Sequence, residues 1–383
     1  MKTKIYIIFM FLMLLLGCNQ NKNKNCKTIL PDNYYADSSY LNAYADFIAG
    51  TKFSKKYFNQ NYRKIWDNYS LEIQSDFKFF KDKILNDLDT FSMVNITPNI
   101  EDSAFVFYPF SGPDVIFLNH FFPTHNASLL VGLEPVGKIP DLTIIDTLSL
   151  KNYLNNLRNS LLSYFNYGFY LTEGMNSDFQ DSILNGSIHH LLFFLAQENC
   201  QIKKIETLIH NENGEKSSVP FNNNSNAICV EYFDSNANKL KEVSYYSMNL
   251  CDSTSQIAEN KGFFNFLKSK DPFCFFIKSG SYLLHSPNFS QIKNIILNNA
   301  KFIVQDDSGL LYKDLLDNWT IKLFGNYKYL MSPNDIRFQE DLYNAYAVKN
   351  SEELPFRMGY SITYDEHNLL IAWKKNTYNK IEK

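Results

Sequence analysis

The sequence predicts a mixed α/β protein with helices at its amino-terminal end, two strand–helix–strand units, and antiparallel strands between those units. Three observations predict this class. Apolar residues first recur at three- and four-residue spacing, and short β-branched and aromatic runs bounded by turn residues follow. Two pairs of such runs flank a helix of about ten residues, which is the crossover that parallel strands need. With 383 residues and 45% hydrophobic content, the chain can bury one large core or two medium ones.

The chain begins with the features of a signal peptide that ends at a lipidated cysteine. Two lysines precede an apolar run from Ile5 to Leu16, and the small Gly17 stands before Cys18. The run is shorter than the roughly 20 residues that a transmembrane helix needs. The sequence LLGC resembles the lipobox of bacterial lipoproteins, so we predict that residues 1–17 are removed and that Cys18 carries the lipid.

Residues 18–33 are predicted to form a flexible tether, because Asn19 to Asn25 offers no apolar side chain for packing. The net charge of −3 becomes about −5 without the two leader lysines, which leaves no basic surface for nucleic acid. We therefore expect a membrane partner through the lipid, no nucleic acid, and an envelope protein or a glycan as a further partner. Asn19, directly after the cysteine, favours the outer membrane.

Two segments are predicted behind the tether. Residues 34–200 contain helices up to about Phe91 and then the first α/β unit, in which strands at Ala104–Tyr108 and Leu129–Leu133 flank a helix that begins near Pro113. Further elements of this segment are helices at Ser149–Tyr167 and Ser187–Gln197.

Residues 201–383 are predicted to be rich in strands and to contain the second α/β unit. Antiparallel strands are expected first, at Ile202–Ile209, Ile228–Phe233 and Glu242–Ser247. The second unit is a strand at Pro272–Ile277, a helix at Asn288–Asn298 and a strand at Lys301–Val304. The remaining predicted elements are strands at Thr320–Phe324, Tyr360–Tyr364 and Leu369–Trp373, and a helix at Asp335–Val348.

The two α/β units follow one plan, with an aromatic strand, a Ser-Gly turn, a helix, an apolar strand, an acidic residue and a glycine. This similarity fits a duplication, and it equally fits the residue preferences that strands, turns and helices impose on any such unit. In either case, both Ser-Gly turns follow strands, at the edge where α/β proteins bind ligands.

The candidate site consists of polar residues at these strand ends: Ser111, Asp114, Glu134, Asp306 and Asp307, with Gly112 and Ser308 beside them and His120 and His285 near in sequence. Paired carboxylates can act as acid and base or hold a divalent cation. Helix capping by Ser111 and Asp114, and a turn at residues 306–309, is the favoured interpretation. The motif PFSGPD lacks the features of a phosphate loop and of a nucleophile elbow, so no cofactor is assigned.

His189 and His190 are adjacent on a helix, where their side chains diverge by about 100°, so we interpret them as structural rather than as metal ligands. Five cysteines follow Cys18, and their spacing fits neither a zinc site nor a redox pair. An exported chain can form a disulfide among the last four, but burial as small apolar side chains is the favoured interpretation.

The strings YPFSGPD, GLEPVG, SYLLH and QDDSG resemble those of a family of exported bacterial proteins and lipoproteins over roughly residues 100–330. The resemblance implies export and brings no established activity, so it assigns no catalytic residue. The sequence therefore favours a lipid-anchored envelope protein that acts as a binding or interaction module. The alternative is an envelope hydrolase, metal-assisted or not, that uses the carboxylates at the strand ends.

The lipid anchor can be tested by labelling cells with an alkyne-tagged fatty acid. We expect the wild-type protein to be labelled and a Cys18→Ser variant to lack the label, because only Cys18 becomes the first residue of the mature chain and offers its thiol to the lipid. A Cys26→Ser variant is the matched control and should keep the label. Labelling that survives in Cys18→Ser would contradict the prediction.

Overall fold

The structure is a computed structural model that describes residues 37–170, 172–179, 183–328, 337–362 and 367–375. The predicted signal peptide, Cys18, Cys26 and the tether at 18–33 lie outside the described residues. Strands from both predicted segments, 34–200 and 201–383, belong to one sheet.

Helices come first, as predicted. Helix α1 (Ser38–Ala49) starts where the Asp37 side chain accepts a hydrogen bond from the Ser39 backbone N–H, and it ends at Gly50, whose positive φ closes it. Helix α2 (Arg63–Phe80) continues through one π-helical turn into helix α3 (Asn86–Asn95). The aromatic and aliphatic side chains that recur along α1 and α2 are buried against the rest of the chain.

One mixed sheet forms the centre of the fold. Its strands are β1 Phe105–Tyr108, β2 Ala127–Gly132, β3 Cys200–His210, β4 Lys216–Pro220, β5 Ala227–Asp234, β6 Lys239–Ser247, β7 Phe273–Ile277, β8 Ala300–Gln305, β9 Trp319–Asn326 and β10 His367–Lys374. Their order across the sheet is β4-β3-β5-β6-β2-β1-β7-β8-β10-β9. The chain is therefore a mixed α+β protein, as the sequence predicts.

The middle of the sheet is parallel and both flanks are antiparallel. Strands β6, β2, β1, β7 and β8 pair in parallel. Strands β4, β3, β5 and β6 form an antiparallel meander on one side, and β10 and β9 continue antiparallel from β8 on the other. The antiparallel strands that were predicted between the two α/β units thus join the parallel centre of the sheet through β6.

The remaining helices follow α3 in the chain. They are α4 Val115–Phe121, α5 Thr147–Tyr167, α6 Thr172–Asp178, α7 Ile188–Gln197, α8 Thr254–Glu259, α9 Lys261–Lys268, α10 Ser290–Asn299 and α11 Glu340–Val348. Apolar side chains of α4 join one buried cluster and those of α9 and α10 join the other. None of the helices in the described part of the chain is both long and apolar enough to cross a membrane.

The two predicted α/β units are present and are neighbours in the sheet. Units β1-α4-β2 and β7-α10-β8 each contain a parallel strand pair, and β1 is paired with β7. From this shared border the units extend in opposite directions, with α4 on one face and α10 on the other. A twofold axis along the strands between β1 and β7 would relate them. This arrangement fits a duplication, which stays a prediction.

The structure corrects three element predictions. The described part of the predicted strand at Tyr360–Tyr364 is a 3₁₀ turn, Gly359–Ile362. The helix predicted from Asp335 begins at Glu340 within the described residues. Strand β4, whose side chains are mostly exposed, lies between two predicted strands, where the sequence predicted no strand.

A buried histidine joins three helices on the α4 face. His120 Nδ1 lies 2.5 Å from Asp89 Oδ1 of α3, and His120 Nε2 lies 3.4 Å from Glu198 Oε2 at the end of α7. Burial lowers the pKa of His120, but its contacts with the two carboxylates outweigh this effect and raise the pKa to about 9. The imidazolium therefore stabilises the packing of α3, α4 and α7.

This pair of contacts predicts a pH-dependent stability. Because the pKa of His120 rises from about 6.5 in the unfolded chain to about 9, its contribution is complete below pH 6.5 and disappears as the pH rises through 9. We expect His120→Gln to lower the free energy of unfolding by about 2 kcal/mol at pH 6 and by much less at pH 9.5. Urea unfolding at both pH values measures the difference.

Asp89→Asn is the companion variant, since it removes the closer carboxylate and should reduce the same pH dependence. If wild type and His120→Gln lost stability in parallel between pH 6 and pH 9.5, the imidazolium would have no such role.

Candidate functional site

The predicted site lies at the carboxyl edge of the parallel strands, where the loops after β1 and β7 meet. Because the β1 and β7 units extend in opposite directions, a crevice is expected between these loops, and open α/β sheets commonly bind ligands at such a point. In this chain, side chains of the two loops fill the position themselves.

The loop after β1 turns twice through left-handed backbone, at Phe110 and Gly112, each with a φ of 57°. The Ser111 backbone N–H donates to Val131 O at 2.8 Å, and its hydroxyl donates to Gly112 O. Asp114 caps α4, since its Oδ1 accepts from the Phe117 backbone N–H at 3.3 Å. The expectation of capping is therefore confirmed for Asp114, whereas for Ser111 it was wrong, because its hydroxyl bonds within the loop.

A buried ion pair joins the two loops. Lys278 Nζ lies 2.6 Å from Asp114 Oδ2, and both side chains are 1% exposed. The Tyr108 and Tyr164 hydroxyls donate to the same carboxylate at 2.9 and 2.5 Å. Lys278 also donates to Gly168 O at 2.5 Å and lies 4.1 Å from the centre of the Phe117 ring. Burial lowers the pKa of the Lys278 ammonium, and the nearby Asp114 and Asp306 charges oppose that effect.

Lys278 is the charged residue of this site that the sequence prediction missed. A signal was present, since a lysine follows the fully apolar strand FCFFI and directly precedes the Ser-Gly turn. Lysine is rarely buried without a partner, so its place in such a run indicates an anion from a distant part of the chain.

Asp306, at the end of β8, connects that strand to the loop after β7. Its Oδ2 accepts from the Ser279 backbone N–H at 2.7 Å, and its Oδ1 accepts from the Ser308 backbone N–H and hydroxyl. Burial raises the pKa of Asp306 to about 7, and the neighbouring Asp307 charge adds to the rise. The predicted turn thus contributes hydrogen bonds that hold the ends of β7 and β8 together.

Asp307 holds a third segment at the same edge. Its Oδ2 accepts from the Tyr282 hydroxyl at 2.8 Å, and its Oδ1 accepts from Asn368 Nδ2 at 3.0 Å. The Asp307 carbonyl accepts from Gln339 Nε2. Burial raises the pKa of Asp307. Both aspartates of the QDDSG string therefore bond to groups of the chain itself.

Glu134 lies at the β2 end of the edge, beside the loop after β1. Tyr245 donates its hydroxyl hydrogen to Glu134 O at 2.9 Å, and burial raises the pKa of the Glu134 carboxyl. A Cβ on Gly132 would lie 2.5 Å from Glu134 Oε2 and 2.9 Å from Gly112 Cα. Glycine is therefore needed at 132 for this carboxylate to fold back against the strand end.

Two hydroxyls of this edge have no hydrogen-bond partner within the described residues, those of Ser279 and Tyr170. Ser279 adopts a φ of 52°, a left-handed conformation that costs free energy in a non-glycine residue. The backbone of Gly359 covers its hydroxyl so closely that a Cβ at 359 would lie 2.0 Å from Ser279 Oγ.

The two histidines near in sequence contact other groups than the strand-end carboxylates themselves. His120 pairs with Asp89 and Glu198, and the His285 ring packs against Tyr282 with a centroid distance of 5.3 Å.

The adjacent pair on α7 enters two separate networks. His189 Nδ1 contacts the hydroxyls of Tyr44 and Tyr153, and His190 Nε2 contacts the Ser160 hydroxyl. Burial lowers the pKa of each of these two histidines to about 3. Their contacts fit the structural role expected from the sequence.

Neither a metal-ligand group nor a disulfide is present in the part of the chain that the structure describes. No group of three histidine, cysteine, aspartate or glutamate side chains there is arranged to hold a metal ion. Cys200, Cys229 and Cys274 are buried free thiols, and Cys251 is a partly exposed free thiol. The favoured interpretation, burial as small apolar side chains, fits Cys200, Cys229 and Cys274, whereas Cys251 is only partly buried.

Comparison of the chain with protein-family models, with curated proteins and with solved structures returns no match. The resemblance to exported bacterial proteins thus stays a prediction from the sequence strings.

The buried ion pair predicts a large and coupled loss of stability. Lys278→Met should lower the free energy of unfolding by about 3–5 kcal/mol, because it leaves the Asp114 carboxylate buried without its cation. The double variant Lys278→Met/Asp114→Asn should lose at least about 1 kcal/mol less than the sum of the single variants. Urea unfolding of the four proteins measures this coupling.

Lys293→Met is the control, since Lys293 pairs with Asp314 at 3.3 Å in a partly exposed position. It should cost less than about 1 kcal/mol. Losses that simply add in the double variant would show that Lys278 and Asp114 do not stabilise each other.

Proposed function

We propose that this chain is a lipid-anchored protein of the bacterial cell envelope that acts as a binding or interaction module. The lipobox-like sequence at Cys18 supports the anchor, and Asn19 favours the outer membrane. The partners suited to this place are another envelope protein or a glycan, together with the membrane that holds the lipid.

The observation that carries a binding role over catalysis is the internal use of the strand-end carboxylates. Asp114, Glu134, Asp306 and Asp307 are each less than 10% exposed. Asp114 pairs with Lys278, and both aspartates after β8 accept hydrogen bonds from neighbouring loops. A general acid or base must come within hydrogen-bond reach of the reacting group. Carboxylates that hold loops together support a stable scaffold, whose outer surfaces remain for binding.

One observation favours the alternative, an envelope hydrolase. The pKa of Asp306 is raised to about 7, close to the range in which a carboxyl group can exchange protons at neutral pH. Ser279, whose backbone N–H bonds to Asp306, has a buried hydroxyl without a partner among the described residues. In this alternative Asp306 is the acid–base group, and Asp114, Glu134 and Asp307 are the further carboxylates of the same strand-end edge.

A thermal-shift screen with a check for turnover separates the two functions. Full-length protein in detergent micelles is heated with peptidoglycan fragments, outer-membrane oligosaccharides, peptides, Ca²⁺, Zn²⁺ and p-nitrophenyl esters. A ligand at a hundred times its Kd stabilises the folded state by about 2.7 kcal/mol, which raises the unfolding temperature measurably. For a binding module, we expect a stabilising ligand that mass spectrometry recovers intact, and the same shift in Asp306→Asn.

Turnover that depends on Asp306 would instead support the hydrolase. If wild-type protein consumed a compound and an equally stable Asp306→Asn protein did not, the hydrolase would replace the binding module.

A further inference from the structure

The loop after β7 concentrates backbone strain. Six non-glycine residues in the described part of the chain have a positive φ, and three of them, Ser279, Ser281 and Tyr282, lie within four positions. Their φ values are 52°, 53° and 56°. A serine or a tyrosine adopts this left-handed conformation at a cost in free energy, and such strain persists only where the surrounding contacts hold it. The contacts of this loop therefore decide whether it keeps its conformation.

Two adjacent aspartates at the end of β8 hold the loop. Asp306 Oδ2 accepts from the Ser279 backbone N–H at 2.7 Å, and Asp307 Oδ2 accepts from the Tyr282 hydroxyl at 2.8 Å. The loop is thus tied at its first and at its last strained residue. Asp306 and Asp307 are both less than 10% exposed. Two carboxylates that are adjacent and shielded from water repel each other when both are charged.

The turn that begins at Gly359 covers the same loop. The Tyr360 hydroxyl donates to Ser279 O at 3.2 Å, and the Tyr360 ring stacks on Tyr282 with the two planes 5° apart. The backbone of Gly359 lies against the Ser279 hydroxyl, which is shielded from solvent and has no partner among the described residues. A buried hydroxyl of this kind gains hydrogen bonds when water reaches it. We call residues 278–282 together with residues 359–360 the strap.

Two cations face the aspartates and compensate their charges only in part. Lys278 lies near Asp306 but is paired with Asp114 at 2.6 Å. The Arg337 charge lowers the pKa of Asp307, yet burial outweighs it and the pKa of Asp307 is raised. Burial, with the Asp307 charge added, raises the pKa of Asp306 to about 7. The closed strap thus retains a proton that a solvent-exposed aspartate would release.

The remaining titratable groups that face the pair are tyrosines. Burial raises the pKa of each of them above its ordinary value, so they stay neutral in the pH range in which the aspartates titrate. They are Tyr108, Tyr282 and Tyr360. The charge of this cluster near neutral pH is consequently set by the two carboxyl groups.

We propose that the strap closes over Ser279 and opens when Asp306 and Asp307 are both ionised. Opening returns the two charges to water, releases three left-handed residues and gives the Ser279 hydroxyl a partner. The open strap exposes Ser279 and Asp306 at the carboxyl edge of the parallel strands, where open α/β sheets commonly bind ligands. This pH-dependent device goes beyond the proposed binding function, which uses the outer surfaces of the molecule.

The direction of the pH dependence follows from the retained proton. An aspartate in water has a pKa of about 3.9, whereas the pKa of Asp306 under the closed strap is about 7. The closed state therefore has its full advantage below about pH 4 and loses it as the pH rises through 7. For one carboxyl group, opening becomes about tenfold more frequent per pH unit between these limits and levels off above about pH 7.5.

Hydrogen exchange measured by mass spectrometry tests the strap on full-length protein in detergent micelles. Exchange is corrected at each pH for the intrinsic rate, so that protection reports the opening equilibrium. The informative amides are those of Ser279 and Gly280, which bond to Asp306 and to the Ser308 hydroxyl. We expect their protection to fall at least about thirtyfold between pH 5 and pH 7.5 and then to level off. Strand β7 should stay protected throughout.

Three variants assign this effect to the strap. Asp306→Asn stays neutral at every pH and should abolish the pH dependence. Tyr360→Phe should lower protection about fivefold at every pH and keep the pH dependence, because it removes only the hydrogen bond to Ser279 O. Asp252→Asn is the matched control, since Asp252 also accepts from backbone N–H groups, at the start of α10, and should leave the strap unchanged.

Asp307→Asn is a second test of the repulsion that does not require Asp306→Asn to fold. It removes the neighbouring charge, so the pKa of Asp306 should fall and protection should level off at a lower pH. Equal protection of Ser279 and Gly280 at pH 5 and pH 7.5 in the wild-type protein would overturn the proposal. An unchanged pH dependence in Asp306→Asn would do the same, as would a parallel loss of protection in β7, which indicates general unfolding.

Discussion

The ion pair between Lys278 and Asp114 is the interaction on which the centre of this fold depends. It joins the loop after β7 to the loop after β1, so the two α/β units are held together at the point where their connections diverge. The same carboxylate caps α4 and accepts two tyrosine hydroxyls. Charges so completely withdrawn from water are tolerated only because every partner is in place. The crevice that such a topology creates is consequently filled by the chain itself.

Around this pair, the carboxyl edge behaves as one connected network. Asp306 fixes the backbone of Ser279, and Asp307 brings in the segments that carry Asn368 and Gln339. Parts of the chain that are far apart in sequence thus meet at the strand ends. The acidic residues that suggested catalysis from the sequence are bonded to other groups of the chain.

The sequence predicted the features that depend on local order. Periodic leucines and tyrosines predicted α5, and alternating runs predicted β3, β5 and β6. Asp114 could be recognised as a helix cap because the backbone N–H that it accepts from belongs to Phe117, only three residues later. The features that depend on distant partners were missed. Lys278 pairs with a residue more than 160 positions earlier, and the exposed β4 has no apolar alternation to reveal it. The run at Tyr360 forms a 3₁₀ turn instead of a strand, and Gly359 at its start lies against the Ser279 hydroxyl, which is distant in sequence.

The pairing of β1 with β7 also has a consequence for how the chain reaches this state. Val106 and Cys274 are partners in the sheet but are about 170 residues apart in the chain. During synthesis, β1 emerges long before its neighbour exists, and its apolar edge is open to other chains throughout that interval. Folding dominated by such distant contacts is slow. The pairing of β1 with β7 is therefore the folding step at which a chain with this topology depends most on assistance.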